Sequence, residues 1–164
     1  MKTCRNVALF TLFVISFVLA VYAQAPAQSP QIVGKWKLNL AKSKFGAGPP
    51  YRSRILTWGW DGATLTHLNN TVDAKGVAST ARFSVKFDGK EVPVFDNEEK
   101  KPARYVKMKM IDPYTFEATN RMDGKDLATY RHTISQDGKT DTIVQAGEMP
   151  EGGSGKDVLL YDKQ

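Results

Sequence analysis

Val77-Ala78-Ser79-Thr80-Ala81-Arg82-Phe83-Ser84-Val85-Lys86-Phe87-Asp88-Gly89 decides the fold. Val77, Ser79, Ala81, Phe83, Val85 and Phe87 fall on one parity. Ala78, Thr80, Arg82, Ser84 and Lys86 fall on the other. Successive side chains of a strand point to opposite faces, so this period of two marks a half-buried strand. The Asp-Gly pair that closes it is a tight-turn signal. Gly accepts positive φ, and Asp tolerates it while bonding its own backbone.

The same punctuation recurs at Asp61-Gly62, Asp123-Gly124 and Asp137-Gly138, and Asp73 and Gly76 bracket a related turn. Short segments rich in Val, Thr, Phe, Tyr and Ile lie between them. Ile32 to Leu40 reads as the first strand, with Gly34, Trp36, Leu38 and Leu40 inward. Ala41 to Pro50 is a linker with room for one helical turn. Arg52 to Trp60 places Leu56, Trp58 and Trp60 on one face, and the more polar Ala63 to Val72 leaves its inner face open. Glu91 to Phe95 is an edge or bulged strand because of Pro93. Asp96 to Arg104 reads as a loop. Tyr105 to Ile111 points Val106, Met108 and Met110 inward. Thr115 to Arg121 buries Phe116 and Ala118. Asp126 to Ser135 and Thr140 to Gly147 form a hairpin, Glu148 to Lys156 is a Gly-rich connection, and Asp157 to Asp162 is the last strand. The expectation is an all-β chain, a single antiparallel up-and-down β-barrel of about eight to ten strands, because a meander must close or stack to hide its edges.

The N-terminus has a separate logic. Lys2 and Arg5 precede an apolar run from Val7 to Ala20, and Val21-Tyr22-Ala23 supplies a cleavage site. Residues 1–23 are read as a signal peptide cleaved after Ala23, 24–31 as a disordered leader and 32–164 as the barrel domain. The apolar run is short of the roughly 20 residues a membrane span needs. The expected location is secreted or periplasmic, with no stable membrane span after cleavage. The one cysteine, Cys4, lies in the basic head, so the mature chain would have no thiol for a disulfide, a metal site or a nucleophile. Of 23 basic and 17 acidic residues, cleavage removes Lys2 and Arg5, leaving 21 − 17 = +4. The lysines are scattered among carboxylates, which suits solvated outer faces and not a nucleic-acid groove.

Several segments together carry a resemblance. Gly34-Lys35-Trp36 after a short leader is similar to the Gly-x-Trp opening of lipocalins and fatty-acid-binding proteins, and Leu160-Tyr161-Asp162-Lys163-Gln164 looks like the closing strand of that superfamily, the calycins. The run Gly34 to Asn39, then Ala41 to Phe45, Gly48-Pro49, Phe87 to Pro93 and Ile134 to Lys139, resembles small secreted bacterial lipocalin-like proteins of unknown function. The resemblance spans nearly all of the mature chain and implies a single barrel with Gly34 and Trp36 as its structural plug. Fatty-acid-binding proteins often place Arg-x-Tyr on the closing strand to hold a carboxylate. Here the matching positions read Leu159-x-Tyr161, so that headgroup site does not carry over. Arg131 is a candidate substitute. It shares parity with Leu127, Thr129 and Thr133, which leaves its facing open.

The candidate ligand-binding residues are Trp58, Phe83, Met108, Met110, Phe116, Tyr130, Arg131 and Tyr161. A barrel of this size is either filled by side chains or leaves room for one small ligand, and methionine suits both outcomes. His67 and His132 are the only histidines, with no acidic partner at ligand spacing, so neither is read as a metal ligand. Asp96, Glu98 and Glu99 lack the alternating pattern of a calcium loop. Asn69-Asn70-Thr71 is a formal glycosylation sequon, relevant only in a eukaryote. No elbow, P-loop or dinucleotide motif is present, and Gly152-Gly153-Ser154-Gly155 is a linker. The leading expectation is a non-enzymatic protein binding a small apolar ligand, without metal or cofactor. The alternative is a filled barrel acting through its loops as an envelope interaction or inhibitor-type protein. An enzyme would rest on Tyr130 and His132 sharing a face, and is set aside.

Overall fold

The computed structural model describes residues 29–46, 51–148 and 154–164. The signal-peptide reading and most of the leader lie outside these residues, as does the glycine pair at 152–153. Ten strands follow one another: β1 (Gly34–Leu38), β2 (Ser53–Trp60), β3 (Leu65–Val72), β4 (Ala78–Val85), β5 (Val92–Asp96), β6 (Arg104–Asp112), β7 (Thr115–Met122), β8 (Lys125–Ile134), β9 (Thr140–Glu148) and β10 (Ser154–Lys163). Each pairs antiparallel with its sequence neighbour, and β1 pairs with β10 to close the barrel. The architecture is therefore the expected all-β up-and-down barrel, with no helix among the described residues.

The turns follow their residue types. Asp123 and Gly124 both have positive φ, 50° and 76°, and join β7 to β8. At Asp61 and Asp88 the carboxylate accepts from backbone N–H groups within its own turn. Closure at the seam is specific. Trp36 lies opposite Leu56 on one side and Lys163 on the other. Its indole donates from Nε1 to the Ile32 carbonyl at 2.6 Å, and Lys163 Nζ lies 5.0 Å from the ring centroid. With Trp36 fully buried, the base of the barrel is packed by Leu65, Val85, Met108, Phe116 and Ile134.

Local departures have physical causes. Leu40 lies beyond the end of β1 in a turn and is 41% exposed, so the inward stripe stops at Leu38. Met110 keeps inward parity but stands at the basal rim beside a β6–β7 bulge, and is 37% exposed. Val77 precedes β4 at the opposite end, where no layer covers it. Pro30 is buried and its carbonyl accepts from Val33 N–H, so the end of the leader belongs to the fold. The Gly-rich connection is shorter than expected: the β9–β10 ladder already pairs Ser154 with Glu148. Residues 41–45 form a turn on Asn39 and a bridge from Lys44 to Val158 in place of a helical turn.

Candidate binding cavity

Parity decides which side chains enter the barrel, and height along each strand decides what they do there. Above the packed base, β2, β3, β4 and β8 contribute Trp58, His67, Phe83 and His132. The Trp58 and His67 rings lie 3.9 Å apart between centroids, and Phe116 stacks on His132 at 4.3 Å. Higher on the same strands and their neighbours stand Arg54, Asn69, Arg104, Asn120, Tyr130 and Gln145. These side chains line a partly open cavity of about 70 Å³, room for a few water-sized groups. A larger hollow of about 260 Å³ adjoins its upper end through Asn69, Ala81 and Arg104 and is walled by polar side chains such as Thr71, Ser79 and Thr80.

The polar groups are individually held. Arg54 donates from Nε to Asn69 Oδ1 and from Nη1 to the Tyr51 hydroxyl, both at 3.2 Å, and its guanidinium lies over the Tyr51 ring. Tyr51 is itself buried, edge-on to Phe45, so the segment before β2 covers this arginine. Arg104 pairs with Asp96 at 2.6 Å. Gln145 donates to Asp157, which also accepts from Gly46 N–H. His132 Nδ1 lies 2.8 Å from Asp141 Oδ2, and both side chains are buried. Burial holds the His67 pKa well below its ordinary value of 6.5, with the electrostatic influence of His132, Arg54 and Arg104 adding to the effect.

Of the residues expected at a ligand site, Trp58, Phe83, Tyr130 and Tyr161 stand on the cavity wall. Met108 and Phe116 belong to the packed base beneath it. Met110 is at the basal rim, the far end from the cavity. Arg131 is on the outer face, where it pairs with Glu117 at 2.5 Å, so it does not replace the missing closing-strand arginine. Trp36 is fully buried, and Gly34 pairs with Trp58 across β1 and β2. Asn69 of the sequon is buried and hydrogen-bonded to Arg54, which bars a glycan there. Asp96, of the acidic loop, is engaged by Arg104.

Sequence reasoning missed Arg54, His67, Asn69, Arg104, Asn120 and Gln145. For some a signal existed: Arg54 precedes Leu56 and Trp58 on their parity, and Gln145 follows Ile143, whereas His67 and Asn69 share a mostly polar parity on β3. The His132–Asp141 pair left none. Opposite residues across β8 and β9 are His132 with Ile143 and Ile134 with Asp141, so the pair is a diagonal contact visible only once the register is set.

No protein-family model matches this chain, and no curated protein matches it. A solved structure does: the Schistosoma mansoni fatty acid binding protein in complex with arachidonic acid, 14% identical, with a TM-score of 0.53. The match covers 82% of this chain and 96% of that one. At this identity the likeness is one of fold.

Proposed function

We propose that this protein is a non-enzymatic, secreted or periplasmic lipocalin-like barrel that holds a small, largely apolar molecule in its interior. The observation that carries the reading is the partly open cavity floored by Trp58, Phe83 and His132 inside a closed barrel. A barrel that shares its fold with a fatty-acid-binding protein supports it. Apolar surface of the ligand would leave water against the aromatic floor, which contributes about 25 cal/mol per Å² buried, and the polar layer above would orient it. Among the described residues the wall holds no serine or cysteine beside the His132–Asp141 pair.

The size of the cavity favours a second reading: at about 70 Å³ the interior is mostly filled, as in a barrel that works through its loops. Ala118→Leu separates the two. Ala118 is on the cavity wall, and the added carbons occupy the void and not packed core. The expected result is loss of uptake of an environment-sensitive apolar dye, with stability lowered by no more than about 1–3 kcal/mol in urea. Native mass spectrometry of the protein from its own host should show an added mass that organic extraction removes. Undiminished dye affinity in Ala118→Leu would move the site out of the barrel.

A further inference from the structure

The cavity wall has an unusual charge census. Among the described residues it carries two guanidinium groups, Arg54 and Arg104, and two imidazoles, yet no carboxylate. The acids nearest to it are engaged elsewhere: Asp96 faces the outer hollow and holds Arg104, Asp141 backs His132, and Asp157 backs Gln145. Two obligate donors on the wall, Trp58 Nε1 and Arg104 Nε, are buried without a hydrogen-bond partner among the described residues. A buried donor left unmade is costly, and a charged one more so.

From these observations we infer that the cavity takes a compact organic anion, a carboxylate or phosphate monoester on a small apolar body, with its acid group in the Arg54–Arg104 layer and its body against Trp58 and Phe83. Guanidinium groups match oxyanions in both charge and donor geometry. Asn69 adds to the layer: its oxygen already accepts from Arg54 and from Thr71 Oγ1, which leaves its amide nitrogen as the donor side. The acid group thus lies toward the polar outer hollow, which joins the cavity at Asn69 and Arg104. The cavity volume selects for a compact body over a long acyl chain. The inference rests on the barrel interior being the ligand site, and it adds the charge, size and orientation of the guest.

The test is calorimetric titration of the purified protein with benzoate, phenyl phosphate and the neutral, similarly shaped benzamide. One or both acids should bind about tenfold or more tightly than benzamide. Which acid binds more tightly separates the carboxylate from the phosphate. Arg54→Gln and Arg104→Gln should each erase the preference for the acids while leaving the near-ultraviolet circular dichroism unchanged. The wild-type comparison decides the matter even if a variant fails to fold. Equal binding of benzamide and the acids would overturn the anion site while leaving an apolar binding protein intact. The same holds if none of the three binds but the apolar dye still does. Failure of the dye as well would overturn both readings.

Discussion

The His132–Asp141 pair is the most consequential contact at the scale of single residues. Asp141 is fully buried, and its Oδ1 has no hydrogen-bond partner among the described residues, so His132 is what its carboxylate relies on. His132→Leu alone should therefore destabilise the protein by about 3 kcal/mol or more, because it strands a buried acid. The double variant His132→Leu with Asp141→Leu should recover much of that loss, as apolar replacement of a buried polar pair often does. Urea titrations of the two singles and the double measure the coupling, and additive losses would show that the pair does not act as a unit. His67 gives a pH prediction. Its folded-state pKa is depressed, so the unfolded chain binds more protons below 6.5. Its contribution is complete above 6.5 and is lost as pH falls toward the folded-state value. Replacing it with Phe should flatten the dependence of the urea midpoint on pH between about 6.5 and 5 relative to wild type.

At the scale of elements, turn chemistry and parity do most of the specifying. Asp123-Gly124 works because both residues take positive φ, as a two-residue hairpin demands. Gly147 is more demanding. Its φ is +107°, and a Cβ there would lie 2.2 Å from the Leu127 carbonyl oxygen, at the upper end of the β8–β9 ladder. Gly147→Ala should cost about 1–3 kcal/mol and raise amide exchange in the upper part of that hairpin before the lower part. Uniform exchange along β8 and β9 would contradict a local clash. Period two was legible in β4 and β7 because each has one wet face. It was illegible in β3, whose inward residues Leu65, His67, Asn69 and Thr71 include three polar side chains. A polar stripe facing a polar cavity layer looks like an outer face when only composition is seen.

At the scale of the whole molecule, the barrel depends on closure. The β1–β10 seam rests on Trp36 with Lys163, Lys37 with Asp162 and Leu38 with Tyr161. Deleting Tyr161 to Gln164 removes all three pairings and leaves two open edges, which a sheet of this kind does not tolerate in isolation. The truncated chain should lose its cooperative thermal transition and its near-ultraviolet signal. A truncated protein that melts like the full chain would show that the seam is dispensable. The seam was anticipated from the Gly-x-Trp opening and the terminal strand, which lie at opposite ends of the chain and meet in space.

What the sequence determined alone is the strand content, the turns and the inward parity of most strands. These are local properties: a residue's face follows from its neighbours two positions away, and a turn from its own φ preferences. What only the tertiary structure decided is height. Met108 and Met110 share a parity, yet one is core and the other rim. Arg54 and Arg104 are far apart in sequence, yet both line one cavity. Height depends on the stagger of all ten strands around a closed cylinder, and no local pattern encodes it.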